Sequence, residues 1–263
     1  MTGFSTASWI LLLIAVIIQA VFFFRKAPER DPASVWLLVL SVLLLLVTFI
    51  QRSIAIKYVA LTGTFESLVF YAAAIIIIAI VYRFQKKLPF HKGIFFAVSF
   101  LALVMLAIAS SPVTSKDALP PVPALRSFWL LLHVSFAFAG EAFFVVAFTT
   151  SIAFLLTKDR QKAMDFDRIT YTSIAVGYPV FTAGAIIFGA IWAQKAWGRW
   201  WGWDPKETWA LVTWLVYTFY LHLRLIIKKS GPLASWVSIV AFLCTVFTFF
   251  GVNYILPGLH SYR

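Results

Sequence analysis

The sequence predicts an all-α protein: a single membrane domain, residues 1–263, built as a bundle of about eight transmembrane helices with both termini outside. Three observations lead there. Hydrophobic residues make up 62% of the chain, charged residues 12%, and mean hydropathy is +0.92, a composition no water-soluble domain carries without aggregating. Apolar runs recur at 7–24, 33–50, 62–82, 93–110, 127–156, 171–192, 208–227 and 233–251, each suited to a helix crossing hydrocarbon. Period-two alternation is absent, and an open sheet edge could not be satisfied in lipid.

The first run lacks a basic start and a small-residue cleavage site, so it reads as a first span rather than a cleaved signal. The next three are compact apolar stretches between basic or polar loops. The fifth is longer than hydrocarbon requires and is expected to extend beyond the bilayer. The sixth ends in a tryptophan-rich loop, 192–208. The seventh starts behind Asp204-Pro205-Lys206-Glu207, which has a capping residue, Pro at the first helical position and Glu three residues after the cap. The eighth leads into the C-terminal tail. Eight such runs leave no length for a separate soluble domain.

Charge sets the expected orientation. The loops after the first, third, fifth and seventh runs carry fourteen of the 22 Lys and Arg, and the alternate loops and tail carry eight. By the positive-inside rule the richer set is cytoplasmic, and the tryptophan loop faces out. The net charge of +12 is therefore a topology signal, and nucleic acid is not an expected partner. Cys244 lies alone in an apolar run and reads as packing, so there is neither an intrachain disulfide nor a Cys-x-x-Cys pair for covalent haem. Nucleophile motifs, phosphate loops and carboxylate-rich metal boxes are absent, which argues against hydrolysis or nucleotide-driven transport.

Five of the 11 tryptophans, Trp192, Trp197, Trp200, Trp201 and Trp203, fall in this one loop. An interfacial aromatic belt would spread its rings around the protein and over both faces. Concentrated rings form a platform for another flat apolar body, a large aromatic cofactor. Asp204 serves as a helix cap and would hold the loop rigid. Lys195, Arg199 and Lys206 either snorkel at the interface or supply cations for carboxylates docking there.

His133, about two turns into the fifth run, and His260, in the tail, share the tryptophan side. Singly each suits an interfacial histidine; together, beside an aromatic platform, they look like axial ligands of a haem iron. His222 lies about 14 residues into the seventh run, on the order of 20 Å from its outer end, where an ionisable group is costly and reads as a ligand or proton relay. His91 is an ordinary loop residue. Glu141, eight residues beyond His133, and Glu66, at the start of the third run, must be protonated, paired or near water. Whether they are ion pairs or support the site stays open at this level.

Trp197-Gly-Arg-Trp200-Trp201-Gly-Trp203-Asp204-Pro205-Lys206-Glu207-Thr208-Trp209 resembles the "WWD" signature of haem-handling proteins of cytochrome c maturation, and its ending resembles the CcsA (ResC) branch of the System II pathway. The stretches around His133, His222, His260 and Phe65-Glu66-Ser67-Leu68 are similar to further elements of that family, over most of 60–263. The resemblance implies a protein that moves haem b across the membrane with a CcsB (ResB) partner and promotes its attachment to the Cys-x-x-Cys-His motif of an apocytochrome c, as the haem-presenting subunit of a haem lyase. It implies His133 and His260 as external axial ligands, the tryptophan loop against the porphyrin edge, and His222 as one ligand of a membrane haem site whose second ligand the partner supplies. Thiol-reducing proteins are further partners that it allows. The expected location is a bacterial inner membrane, with the thylakoid membrane as alternative. A haem exporter of the CcmC kind handing its cargo to a separate ligase is the rival reading, and an electron-transfer cytochrome b a more distant one.

Overall fold

The computed structural model describes residues 3–25 and 30–256. It is helical, with no strand among the described residues. Two compact units, Met1–Arg126 and Ser127–Arg263, divide the chain. The first consists of α1 (Gly3–Phe24), α2 (Ser34–Ile56), α3 (Thr64–Phe84) and α4 (Lys92–Ser110). The second holds α5 (Phe128–Leu156), α6 (Arg160–Phe181), a π-helical segment (Thr182–Phe188), α7 (Gly189–Trp197), α8 (Pro205–Leu225), α9 (Pro232–Val246), a second π-helical segment (Phe247–Gly251) and α10 (Val252–Ile255).

Among the described residues, seven helices or continuous helical stretches are long and apolar enough to cross a bilayer. Each coincides with one of the expected apolar runs. The remaining run forms α8, which falls short in hydropathy because its 21 residues mix aliphatics with Trp, Tyr, Thr, His222 and Arg224. The protein is thus a polytopic helical membrane protein. The sixth stretch differs most from expectation. Helix begins at Arg160, where the Asp159 carboxylate accepts the amides of Gln161 (2.9 Å) and Lys162 (3.2 Å), and it runs through Pro179 and the π segment to Trp197. Its first turns are too polar to register as an apolar run, yet their amides are capped and their charged faces need no burial.

In the first unit, polar contacts mark the helix crossings. The Ser8 and Ser41 hydroxyls, both buried, meet at 2.7 Å where α1 crosses α2. Arg52 is only 1% exposed inside α2, so it is no loop cation. Its guanidinium donates twice to Glu66 Oε1, from Nε at 2.7 Å and from Nη2, and Nη1 donates to the Lys116 carbonyl at 3.0 Å. The face of Phe65 lies 4.6 Å away. Gly63 makes the pair possible, because a Cβ there would sit 2.2 Å from Glu66 Oε2. Glu66 is thereby resolved as one half of a buried ion pair.

In the second unit, α5 and α6 approach through glycine. A Cβ on Gly140 would lie 2.6 Å from the Phe181 amide nitrogen, and one on Gly177 would lie 2.9 Å from the Gly140 carbonyl oxygen. Close backbone approach of this kind supplies the van der Waals packing that replaces hydrophobic drive between helices in lipid. Behind it Phe144 stacks on Tyr217 with 3.8 Å between ring centroids, joining α5 to α8.

Candidate haem-handling site at the tryptophan loop

His133 lies in the second turn of α5 and faces the π segment. Its Nδ1 is 2.9 Å from the carbonyl oxygen of Gly184, which also accepts the amide of Gly189. A carbonyl can only accept, so Nδ1 carries the proton, and in the neutral ring Nε2 is then the lone-pair nitrogen. This is the arrangement that orients a metal-ligating histidine.

The π segment explains how two glycines reach one imidazole. In an α-helix residues five apart point about 140° away from each other. A π turn closes its hydrogen bonds one residue later and returns such residues to one side. Gly184 and Gly189 are five apart, and both meet His133: Gly184 through its carbonyl, Gly189 through a surface so close that a Cβ would stand 3.0 Å from Nδ1. At Gly184 a Cβ would lie 2.2 Å from the Ala137 amide nitrogen, so no larger residue fits. One turn further along α7, the buried indole of Trp192 lies parallel to the imidazole, at 6.1 Å and 5°.

The five tryptophans divide by exposure. Trp192 is buried and meets Trp197 edge-on at 6.1 Å, and Trp201 meets Trp203 edge-on at 6.0 Å. Trp200 and Trp203 are exposed, at 59% and 69%. The indole N–H groups of Trp197 and Trp201 are buried without a hydrogen-bond partner among the described residues. Such donors are costly unless an acceptor completes them.

The loop is held from both ends. Gly198 terminates α7 with φ of 75°, and its amide reaches the Gln194 carbonyl. At the other end the expected capping box forms. Asp204 Oδ1 accepts the Lys206 amide at 2.9 Å, while Glu207 Oε2 accepts the amides of Asp204 (3.3 Å) and Gly202 (2.7 Å). Between them Trp203 is in the left-handed region, φ 55°, a conformation that costs a bulky residue about 1–3 kcal/mol and persists only where its surroundings impose it. Arg199 folds over Gly202, where a Cβ would come within 2.7 Å of its Nε.

Other predicted site residues fall elsewhere. Lys206 turns inward, donating to Asn253 Oδ1 at 3.2 Å with its ammonium 5.6 Å from the Phe249 ring. Glu141 is buried in α5 and lies within electrostatic reach of that ammonium. His222 stands on the last turn of α8, which starts at Pro205, and its side chain is exposed. His260 lies outside the described residues. Sequence reasoning passed over Gly184, Gly189 and Asn253. Among them only the paired glycines carry a sequence signal, and it does not reveal a π turn.

Helices throughout the described residues, seven stretches of them long and apolar enough to cross a bilayer, define the general class, a polytopic helical membrane protein. The family described as "Cytochrome C assembly protein" matches residues 61–260, and the chain belongs to that family. Relatives called "Cytochrome c biogenesis protein CcsA" are similar over much of their length. The protein of Chlamydomonas reinhardtii is 37% identical over 234 residues, 85% of this chain and 65% of the relative, so this chain spans just under two thirds of it. That of Guillardia theta is 34% identical over 239 residues, covering 80% and 79%. That of Prochlorococcus marinus (strain MIT 9303) is 33% identical over 298 aligned positions, covering 97% and 91%.

Proposed function

We propose that this chain presents haem for cytochrome c maturation, seating it against the tryptophan loop with His133 as one axial ligand and His260 as the other. The observation that carries this reading is the imidazole of His133, its Nδ1 proton committed to the Gly184 carbonyl and its ring parallel to Trp192, together with the indole N–H groups of Trp197 and Trp201, which are buried without acceptors among the described residues. Haem fits all three features. Its iron takes the Nε2 lone pair, its edge takes the aromatic faces, and its propionates accept the N–H groups of Trp197 and Trp201, with Arg199 as counter-cation.

In this reading the cargo is haem b, held non-covalently, and the recipient is the Cys-x-x-Cys-His motif of an apocytochrome c. Each thiol adds across a vinyl group: sulfur bonds to the inner vinyl carbon and the thiol hydrogen ends on the terminal carbon. No net oxidation occurs. The demand on this chain is one fixed porphyrin face, which capping box, glycines and π turn supply as rigidity. The lyase activity belongs to the complex with a CcsB-like partner. His222, exposed near the far end of α8, is available to a haem site completed by that partner. The charge asymmetry of the loops supports a tryptophan loop on the side where the cytochrome is assembled.

The test is the reduced absorption spectrum of the full chain purified with a co-expressed CcsB-like partner, for wild type, His133→Ala and His260→Ala. Low-spin bands altered by each substitution and restored by added imidazole are expected. Haem absent throughout, or indifferent to both histidines, would remove the proposal.

A further inference from the structure

Three rungs fasten α8 to the π segment Phe247–Gly251 and to α10. Thr213 and Thr248 share a 3.1 Å hydrogen bond, Trp209 lies against Phe247 with 4.2 Å between ring centroids, and Lys206 donates to Asn253 at 3.2 Å. On α8 the rungs stand at 206, 209 and 213, the spacing of one helical face. On the opposite element Thr248 and Asn253 are five apart, so an α-helix would turn one of them away. The π segment Phe247–Gly251 brings both round to α8. Gly251 is part of the device, since a Cβ there would lie 2.4 Å from the Phe247 ring.

The Lys206 rung is the one that costs most to build. A lysine beside the tryptophan loop would ordinarily extend its ammonium to water. This one turns inward to the Asn253 amide oxygen and the Phe249 face. Lys206 is two residues from the Asp204 cap of the loop, and Asn253 is seven residues ahead of His260. The contact therefore joins the base of the loop to the segment that leads to the second histidine.

We propose that Lys206 and Asn253 are positioning residues: they latch α10, which precedes His260 in the chain, to the start of α8 at the base of the tryptophan loop, and haem binding through His260 depends on that latch. The role of His260 as a ligand rests on the function proposed above; the latch itself does not.

Hydrogen exchange on the full chain with its co-expressed partner tests the latch independently of haem. Lys206→Met and Asn253→Leu are expected to lower protection of the amides of residues 252–256 roughly tenfold, with α8 beyond Trp209 unchanged. Asn253→Asp, whose carboxylate still accepts from the ammonium, is expected to keep protection even if the leucine variant folds poorly. Equal protection in all variants would overturn the latch. The reduced haem spectrum then separates the two ideas. If the latch positions His260, Asn253→Leu resembles His260→Ala and is restored by imidazole. A wild-type spectrum for Asn253→Leu beside an altered one for His260→Ala overturns the positioning role and leaves the haem reading intact. Indifference of the His133→Ala and His260→Ala spectra counts against the haem reading, and the exchange result still decides the latch.

Discussion

His133 and Trp192 lie face to face with 5° between their planes, although 59 residues separate them in sequence. The π turn between α6 and α7 creates that relationship, because it sets Gly184 and Gly189 on the same side and leaves the imidazole one place to lie. The two glycines should respond differently to a methyl group. Gly184→Ala drives a Cβ into the backbone of α5 and is expected to cost about 1–3 kcal/mol or prevent assembly. Gly189→Ala presses on the imidazole, with the Gly184 carbonyl oxygen at an ordinary 3.8 Å, so the protein should fold with His133 displaced. Thermal melting with haem spectra distinguishes them: a normal spectrum in Gly189→Ala would show that the imidazole is not held by this wall.

The unpartnered indoles predict opposite effects on stability and binding. Trp197→Phe and Trp201→Phe each remove a buried donor that has no acceptor among the described residues, so melting without haem should be unchanged or rise by the equivalent of about 1 kcal/mol. If these donors serve haem carboxylates, affinity should fall by roughly ten- to 150-fold, since hydrogen bonds to charged groups contribute about 1.5–3 kcal/mol. Haem titration checks this, and a loss of stability with no loss of affinity would assign the indoles to packing.

These cases show which parts of the structure are legible in the chain and which are not. Long apolar runs are visible because lipid demands continuous hydrophobicity, and the start of α8 is visible because capping is local chemistry within Asp204–Glu207. The polar first turns of α6 escape a hydropathy reading since nothing in lipid constrains them. A π turn has no residue signature; its glycines mark close approach without saying to what. The inward turn of Lys206 and the union of Arg52 with Glu66 depend on partners 47 and 14 residues away, which no local pattern announces.

The Arg52–Glu66 pair predicts strong non-additivity. Arg52→Met alone strands a buried carboxylate and should cost about 3–5 kcal/mol, and Glu66→Leu alone should cost as much by stranding the guanidinium. The double substitution removes both charges and should recover most of that loss. Thermal denaturation of the four proteins in one detergent gives the coupling. Additive losses would mean that each residue is held by other contacts, such as the Lys116 carbonyl.

Glu207 predicts a separation between helix and loop. Its carboxylate holds the amides of Gly202 and Asp204, on either side of the left-handed Trp203. Glu207→Ala leaves the Asp204 cap on Lys206 in place, so α8 should persist with a loss of about 1 kcal/mol, the usual worth of a capping interaction. The loop should then release Trp203 from its strained conformation. Tryptophan fluorescence is expected to shift red and haem retention to fall, while Glu207→Gln, which still accepts from both amides, should retain most of both properties. Equal behaviour of the alanine and glutamine variants would show that charge at the helix start, rather than the two hydrogen bonds, holds the loop.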